Sequence, residues 1–305
     1  MNPQIVPAAV KQVPSPARER ADVAPFRSIL FAESEIDIGI DGREVPEMFA
    51  DLNLDQVVES ITGGRDEYNL KPFFYMPLRD VETINYRYDI LRDLEGRELA
   101  GYIQSFAQEM RKMRGYLSQA EKLYYKYQKQ SWFLDALEIY ASAVTRLSHD
   151  LMHTDIGSLG LRAFRGYLAN YTESSDFRAL AIETQKVRAD LAGVRYSLHI
   201  AGKTITVTKY DSEPDYGADV LQTFQKFSQG AAKEYRFEFR SRPDMNHVEA
   251  GILDLVAQLY PEIFSSLEGY CTRHSGYLNE TIARFAAVMP DTTAYSDLSL
   301  DGATS

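Results

Sequence analysis

From Asp80 to Gly193 the sequence keeps one apolar period, that of the α-helix. Asp80 is a good N-cap, and Val81, Ile84, Tyr88, Leu91 and Leu94 recur behind it at helical spacing. Gly96 reads as a joint. Residues 97–127 continue helical on the stripe Leu99, Ile103, Phe106, Met110, Met113, Leu117, Leu123 and Tyr124. Residues 131–153 form the next helix, on Phe133, Leu137, Tyr140, Val144, Leu147 and Leu151. Shorter helices follow at 158–171 and 175–193, the second capped by Ser174 or Ser175 and stopped by Gly193. Consecutive helices with one apolar face each can bury it only against one another, which requires a helical core.

The period then changes from 3.6 to 2. Residues 195–200 and 203–208 alternate polar and apolar around Ala201-Gly202, the pattern of a β-hairpin. A loop at 211–217, a helix at 218–228 and a short aromatic strand at Tyr235–Phe239 are expected next. From His247 to about Val288 the helical pattern returns, with Pro261 imposing a kink or a new start. On the N-terminal side, residues 53–62 read as a short helix with Leu54, Val57, Val58 and Ile61 on its apolar face. Residues 72–78 read as an extended aromatic linker. Five of the twelve prolines fall within residues 1–25, so that stretch is expected to be a disordered leader, with Phe26–Phe31 as a docking segment. The expected fold is mainly α: an elongated core of long helices with a small β-hairpin insertion. Its parts are a leader at 1–25, a helical core at 46–193, a β-containing insertion at 194–245, returning helices at 246–289 and a loose tail at 290–305.

Composition narrows the function classes. Lys plus Arg number 33 against 44 Asp plus Glu, a net charge of −11, so a nucleic-acid coat that is basic throughout is excluded and a local basic patch is not. A single cysteine, Cys271, excludes an internal disulfide framework and a Cys-rich zinc module. No apolar run approaches the roughly 18 residues needed to span a bilayer, and no signal peptide is evident, so a cytoplasmic protein without a membrane partner is expected.

No convergent catalytic or metal site emerges. Ala201-Gly202-Lys203-Thr204 ends like a phosphate loop, but Ser197 stands where the pattern needs glycine, and strand residues follow where it needs a helix. A hairpin turn is the reading. His149 and His153 lie four apart beside Asp150 and Asp155, with no third ligand in sight. His247-Val248-Glu249 lacks the cysteine pair of a deaminase zinc site. Cys271, Arg273 and His274 share one helical turn, which reads as packing. Glu121 and Arg92-Asp93 read as solvated faces. No catalytic residue and no metal ligand are assigned.

The basic residues are more telling. Arg111, Lys112, Arg114, Lys122, Lys126 and Lys129 occur with one acid, Glu121, and with Tyr116, Tyr124, Tyr125 and Tyr127 interleaved. Around the insertion stand Lys203, Lys209, Lys226, Lys233, Arg236, Arg240 and Arg242, the candidate DNA-binding residues. A ribbon with lysines near its tip can touch phosphates without reading bases.

The stretch Pro77-Leu78-Arg79-Asp80-Val81-Glu82-Thr83-Ile84-Asn85-Tyr86-Arg87, with Leu91 and Leu94 behind it, resembles the P-L-x-D-x-x-x-I-x-x-R signature that opens the helical lever domain of the MutS family of DNA mismatch repair proteins. Ile205-Thr206-Val207-Thr208-Lys209 is similar to that family's I-x-V-T-K hairpin in its clamp. Tyr277–Phe285 looks like its last lever helix. The resemblance spans roughly residues 46–285. It implies a lever and clamp that hold duplex DNA through its backbone, with Pro77, Leu78, Asp80, Ile84 and Arg87 as the structural motif. The family's mismatch-reading domain and its phosphate-loop ATPase, which uses ATP and Mg, have no counterpart here. The resemblance therefore implies no cofactor in this chain, no enzymatic activity, a truncated or altered gene product, and either a homodimer or a separate ATPase-bearing partner. A helical interaction scaffold without a nucleic-acid role is the rival expectation, favoured by the acidic net charge. Ile84 and Leu91 are expected to be buried, and Arg87 to serve structure.

Overall fold

The computed structural model describes residues 26, 28–30, 45–62, 71–75, 80–212 and 245–288. The expectations for the leader, the helix at 218–228, the strand at 235–239 and the tail lie outside the described residues. The described chain is mainly helical, with one two-stranded hairpin. Three short helices come first: α1 (Met48–Asp51), α2 (Leu54–Thr62) and α3 (Lys71–Phe74). The longer ones follow: α4 (Val81–Leu94), α5 (Arg97–Lys122), α6 (Lys126–Met152), α7 (Leu159–Glu173) and α8 (Ser175–Ala192). Strands β1 (Tyr196–Ala201) and β2 (Thr204–Lys209) come next, then α9 (His247–Leu259), α10 (Pro261–Arg273) and α11 (Glu280–Val288).

The apolar stripes read from the sequence do build the core. Leu99, Ile103, Phe106, Met110 and Met113 of α5 are buried, and so are Leu137, Tyr140, Val144, Leu147 and Leu151 of α6. These two helices form an antiparallel pair joined by a three-residue connection, and α7, α8, α10 and α11 pack around them. The ring of Phe285 on α11 stacks on Phe164 of α7 with centroids 3.5 Å apart and leans on Phe106 of α5 at 6.4 Å. Buried polar groups tie the same place. Asn279 caps α11 by accepting from the Ile282 N–H at 3.1 Å, and its side-chain oxygen also accepts from the Tyr167 hydroxyl at 3.0 Å. Its own N–H donates to the Tyr140 hydroxyl at 3.3 Å. Burial pushes the Tyr140 hydroxyl far above its ordinary pKa, so the group stays neutral and available for these bonds.

A second, smaller cluster forms where α6 begins and α8 ends. Val256, Ala257 and Phe264 are its buried members, and Tyr127, Leu191, Val194, Val207 and Tyr260 pack on it. It roots the hairpin onto α9 and α10.

Several expectations need correction. The helix after Asp80 buries Thr83 and Ile90, with Tyr86 and Arg87 half-buried between them; Ile84 is half-buried and Leu91 is 51% exposed. The buried face is therefore one residue, or about 100° of helix, away from the expected one. Residues 71–74 are a helical turn, not extended linker. The break between the two long helices falls at 123–125 and not at 128–130, because Leu123 leaves the helix with extended backbone (ψ 152°) to bury its side chain. Residues 277–279 precede the last helix instead of opening it. Pro261 does start a new helix, at its N1 position, as its missing N–H allows.

The segment after the leader docks, as expected from its apolar residues. Phe26 meets Phe164 edge-on at 4.9 Å, and Ile29 is buried. Tyr86 and Arg87 of α4 hold it through their side chains, donating to the carbonyls of Ser28 at 2.8 Å and Leu30 at 2.7 Å. Burial pushes the Tyr86 hydroxyl up to about 12.

Candidate nucleic-acid interface

The hairpin is in register from Tyr196↔Lys209 to Ala201↔Thr204, which leaves Gly202 and Lys203 as a two-residue turn. Gly202 has φ 60°, and glycine at the first turn position with positive φ is what such a tight hairpin requires. Ala201-Gly202-Lys203-Thr204 is thus a turn between strands. Alternation gives the hairpin two faces. Tyr196, Leu198, Ile200, Ile205, Val207 and Lys209 share one; Ser197, His199, Thr204, Thr206 and Thr208 share the other. Val207 packs on the second cluster, near the root, whereas Ile200, near the tip, is 73% exposed.

The root is fixed by a break in another element. Pro261 forces a gap between α9 and α10, and Tyr260 fills it with non-helical backbone (φ −125°, ψ 55°). From there its hydroxyl donates to the carbonyl of Arg195, just before β1. Its ring lies under the Lys209 ammonium, 5.2 Å from the centroid, just where β2 ends. Arg195 in turn donates to the carbonyls of Ala192 at 2.7 Å and Val194 at 3.0 Å, capping the end of α8. Both strands are therefore clamped at their bases, and the turn bearing Lys203 projects from a fixed platform.

Charge is segregated here. Residues 195–210 contain Arg195, Lys203 and Lys209 and no acid, in a chain of net charge −11. The second cluster also draws in part of the basic stretch from α5 and α6. Tyr127 meets Phe264 of α10 at 4.9 Å, and Lys126 pairs with Glu268 of α10 at 2.9 Å. Lys122, Lys126 and Lys129 therefore lie at the end of the helical core from which the hairpin springs. Lys122, Lys129 and Lys203 make no ion pair with any described residue. The other half of that stretch lies further along α5, where Lys112 faces Glu109 at 3.8 Å.

Of the residues singled out in the sequence, Lys203 is exposed at the tip and Lys209 sits at the root. Lys226, Lys233, Arg236, Arg240 and Arg242 lie outside the described residues, as do Pro77 and Leu78. Asp80 caps α4, accepting from the backbone N–H groups of Thr83 at 2.8 Å and Glu82 at 3.2 Å. Those bonds, Thr83's first, hold its carboxyl below the usual range. Arg87 serves structure, as described above. Among the described residues no three His, Cys, Asp or Glu side chains converge as metal ligands. The ring Nδ1 of His153 lies 2.8 Å from the carbonyl of His149. Cys271 is half-buried and its thiol is pushed up to about 11, while Arg273 and His274 both turn to Glu183, at 2.8 and 3.1 Å. A groove of about 390 Å³ runs between α5 and α6, lined by Tyr102, Glu109, Lys112, Asp135, Glu138 and Arg146. On its rim Arg188 of α8 bridges Asp135 and Glu138.

Two features escaped the sequence reading. Tyr260 was visible only as the residue before a proline. Asp93 looks like part of a solvated helix face, yet its carboxylate accepts from the N–H groups of Gly157 at 3.2 Å and Ser158 at 2.8 Å, closing the start of α7. No helix among the described residues is long and apolar enough to cross a membrane. Compared with protein-family models, with curated proteins and with solved structures, the chain matches none.

Proposed function

We propose that this chain binds DNA through its backbone, independently of sequence, with the hairpin and the neighbouring end of the helical core as the contact surface. It does so as a MutS-like lever and clamp without an ATPase of its own. The observation that carries the reading is the hairpin itself: an acid-free, basic ribbon, rooted by Tyr260 on rigid helices, in an otherwise acidic chain. Phosphates attract such a tip, and the clamped base avoids the entropy loss of ordering it on binding. In this reading, nucleotide-driven motion comes from a separate ATPase-bearing partner or from a second copy acting with one.

Titration of a fluorescent duplex by anisotropy at several salt concentrations tests it. Non-specific affinity of about 10⁻⁴–10⁻⁶ M is expected at physiological salt, falling as salt rises. Replacing Lys203 and Lys209 by alanine together is expected to flatten the log–log salt slope by up to roughly 2 units. Unchanged affinity and slope in the double variant would end the hairpin assignment. ATP titrated calorimetrically is expected to give no heat of binding; tight binding abolished by Lys203→Ala would reverse the reading.

The second reading, a helical interaction scaffold with no nucleic-acid role, draws on the exposed Leu198 and Ile200 of the hairpin. It expects no duplex binding even at low salt, or binding indifferent to both lysines.

A further inference from the structure

We propose that Tyr124 is a stacking platform for an unpaired nucleobase, so that this end of the molecule prefers DNA with a single-stranded stretch to an intact duplex. The inference rests on the DNA-binding reading above and names the form of DNA it takes. The connection between α5 and α6 is three residues long. Leu123 has extended backbone (φ −73°, ψ 152°) and is 7% exposed, buried beneath the turn. Such backbone turns successive side chains in different directions, so Leu123 is anchored inward while Tyr124 is 88% exposed. The next ring, Tyr125, meets it edge-on at 5.3 Å and 88° and leaves it uncovered.

The surroundings suit a polyanion that carries aromatic faces. Lys122, Lys126 and Lys129 flank Tyr124 in the sequence, and Lys126 is held by Glu268 at 2.9 Å and over its neighbour Tyr127 at 5.5 Å. The single acid in the stretch is Glu121. Through Tyr127 this turn shares the second cluster with the hairpin root, where Lys209 lies over Tyr260. In an intact duplex the base faces are covered by their neighbours, and an outward tyrosine can reach only sugar and phosphate. An unpaired base offers its π-face to any exposed ring, whatever its identity.

The experiment compares three labelled oligonucleotides with the full chain: a blunt duplex, the same duplex with a 3′ overhang, and the single strand. The parent is expected to bind the overhang and the single strand about 5- to 100-fold more tightly than the blunt duplex, the range that stacking of one base supplies. Tyr124→Ala is expected to abolish that preference while keeping blunt-duplex affinity, and Tyr124→Phe to retain it. Tyr124 lies outside the core, so the melting temperature is expected to stay put in both variants. A parent without preference, or a Tyr124→Ala protein that keeps it, overturns the inference and leaves the hairpin reading standing. If the parent binds none of the three, the DNA-binding reading itself falls, and this inference with it.

Discussion

Gly160 sets how closely α7 approaches α4. A Cβ built there would stand 2.6 Å from the Tyr86 hydroxyl and 2.7 Å from the Ile90 methyl. Tyr86 cannot simply swing aside, because its hydroxyl is committed to the Ser28 carbonyl. Alanine is the better helix former by about 1 kcal/mol, yet overpacking here costs about 1–3 kcal/mol, so Gly160→Ala is expected to lower stability in urea titrations. Gly101 and Gly115 of α5 have nothing within 4 Å of such a Cβ, and alanine at either is expected to raise stability by about 0.5–1 kcal/mol. Opposite signs at these sites would show that the helix phases are misassigned. Glu183 offers a pH readout. The guanidinium of Arg273 first, and His274 after it, hold its carboxyl below the usual range. The folded state then binds fewer protons than the unfolded chain at this site. Its stabilisation is complete above the ordinary carboxylate pKa and is lost as pH falls through and below that range. Glu183→Gln is expected to lower stability at neutral pH and to flatten the acid limb of a melting-temperature profile. A limb as steep as the parent's would place the acid sensitivity elsewhere.

At the scale of elements, ends were more legible than faces. Asp80, Ser174 and Pro261 declare helix starts through local chemistry, and all three act as read: Ser174, for instance, accepts from the Phe177 N–H at 3.3 Å. Asn246 carries an equally local signal, three residues before Glu249. Its side chain accepts from the N–H groups of Val248 and Glu249, both at 2.9 Å, while Glu249 reaches back to the Asn246 N–H at 3.0 Å. Asn246→Ala is expected to cost about 1 kcal/mol, measured by thermal melts, and Asn246→Asp much less. The phase of α4 was not legible, because period alone does not say which side meets a partner. Thr83 is buried because Asp80 satisfies its hydroxyl at 2.9 Å, and Ile90 because Gly160 leaves room for it. Tyr260 and Asp93 share that limit: their partners are 65 residues or so away in sequence, and only the assembled core brings them near.

For the molecule as a whole, the mainly α class and the hairpin at residues 196–209 followed from the change of period at residue 195, and the docking of the N-terminal segment from its apolar residues, though not the α4 and α7 partners it meets. Phe26 and Ile29 pack against the same cluster as Phe164, so the docking segment is part of the fold. Removing residues 1–25 is expected to leave the melting temperature nearly unchanged. Removing 1–30 exposes the site on α4 and α7 and is expected to lower it by several degrees, as loss of one or two kcal/mol does in a chain of this size. Equal melting temperatures for the two truncations would mean that the docked segment contributes nothing. The candidate interface was legible only in part. Lys203 and Lys209 stood out by spacing and charge. The gathering of Lys126 and Tyr127 at the hairpin root did not, because it depends on Tyr127 and Phe264 meeting across five intervening described elements.

The stacking of Phe285 on Phe164 also dictates an order of events. The α5–α6 pair can close as soon as both helices exist, since its contacts are local. The part of Phe164 that Phe285 stacks on has no cover until α11 arrives from the far side of the hairpin insertion. A chain emerging from the ribosome therefore carries an open greasy slot while α8, the hairpin insertion and the helices after it are made, with α7 waiting for a helix not yet there.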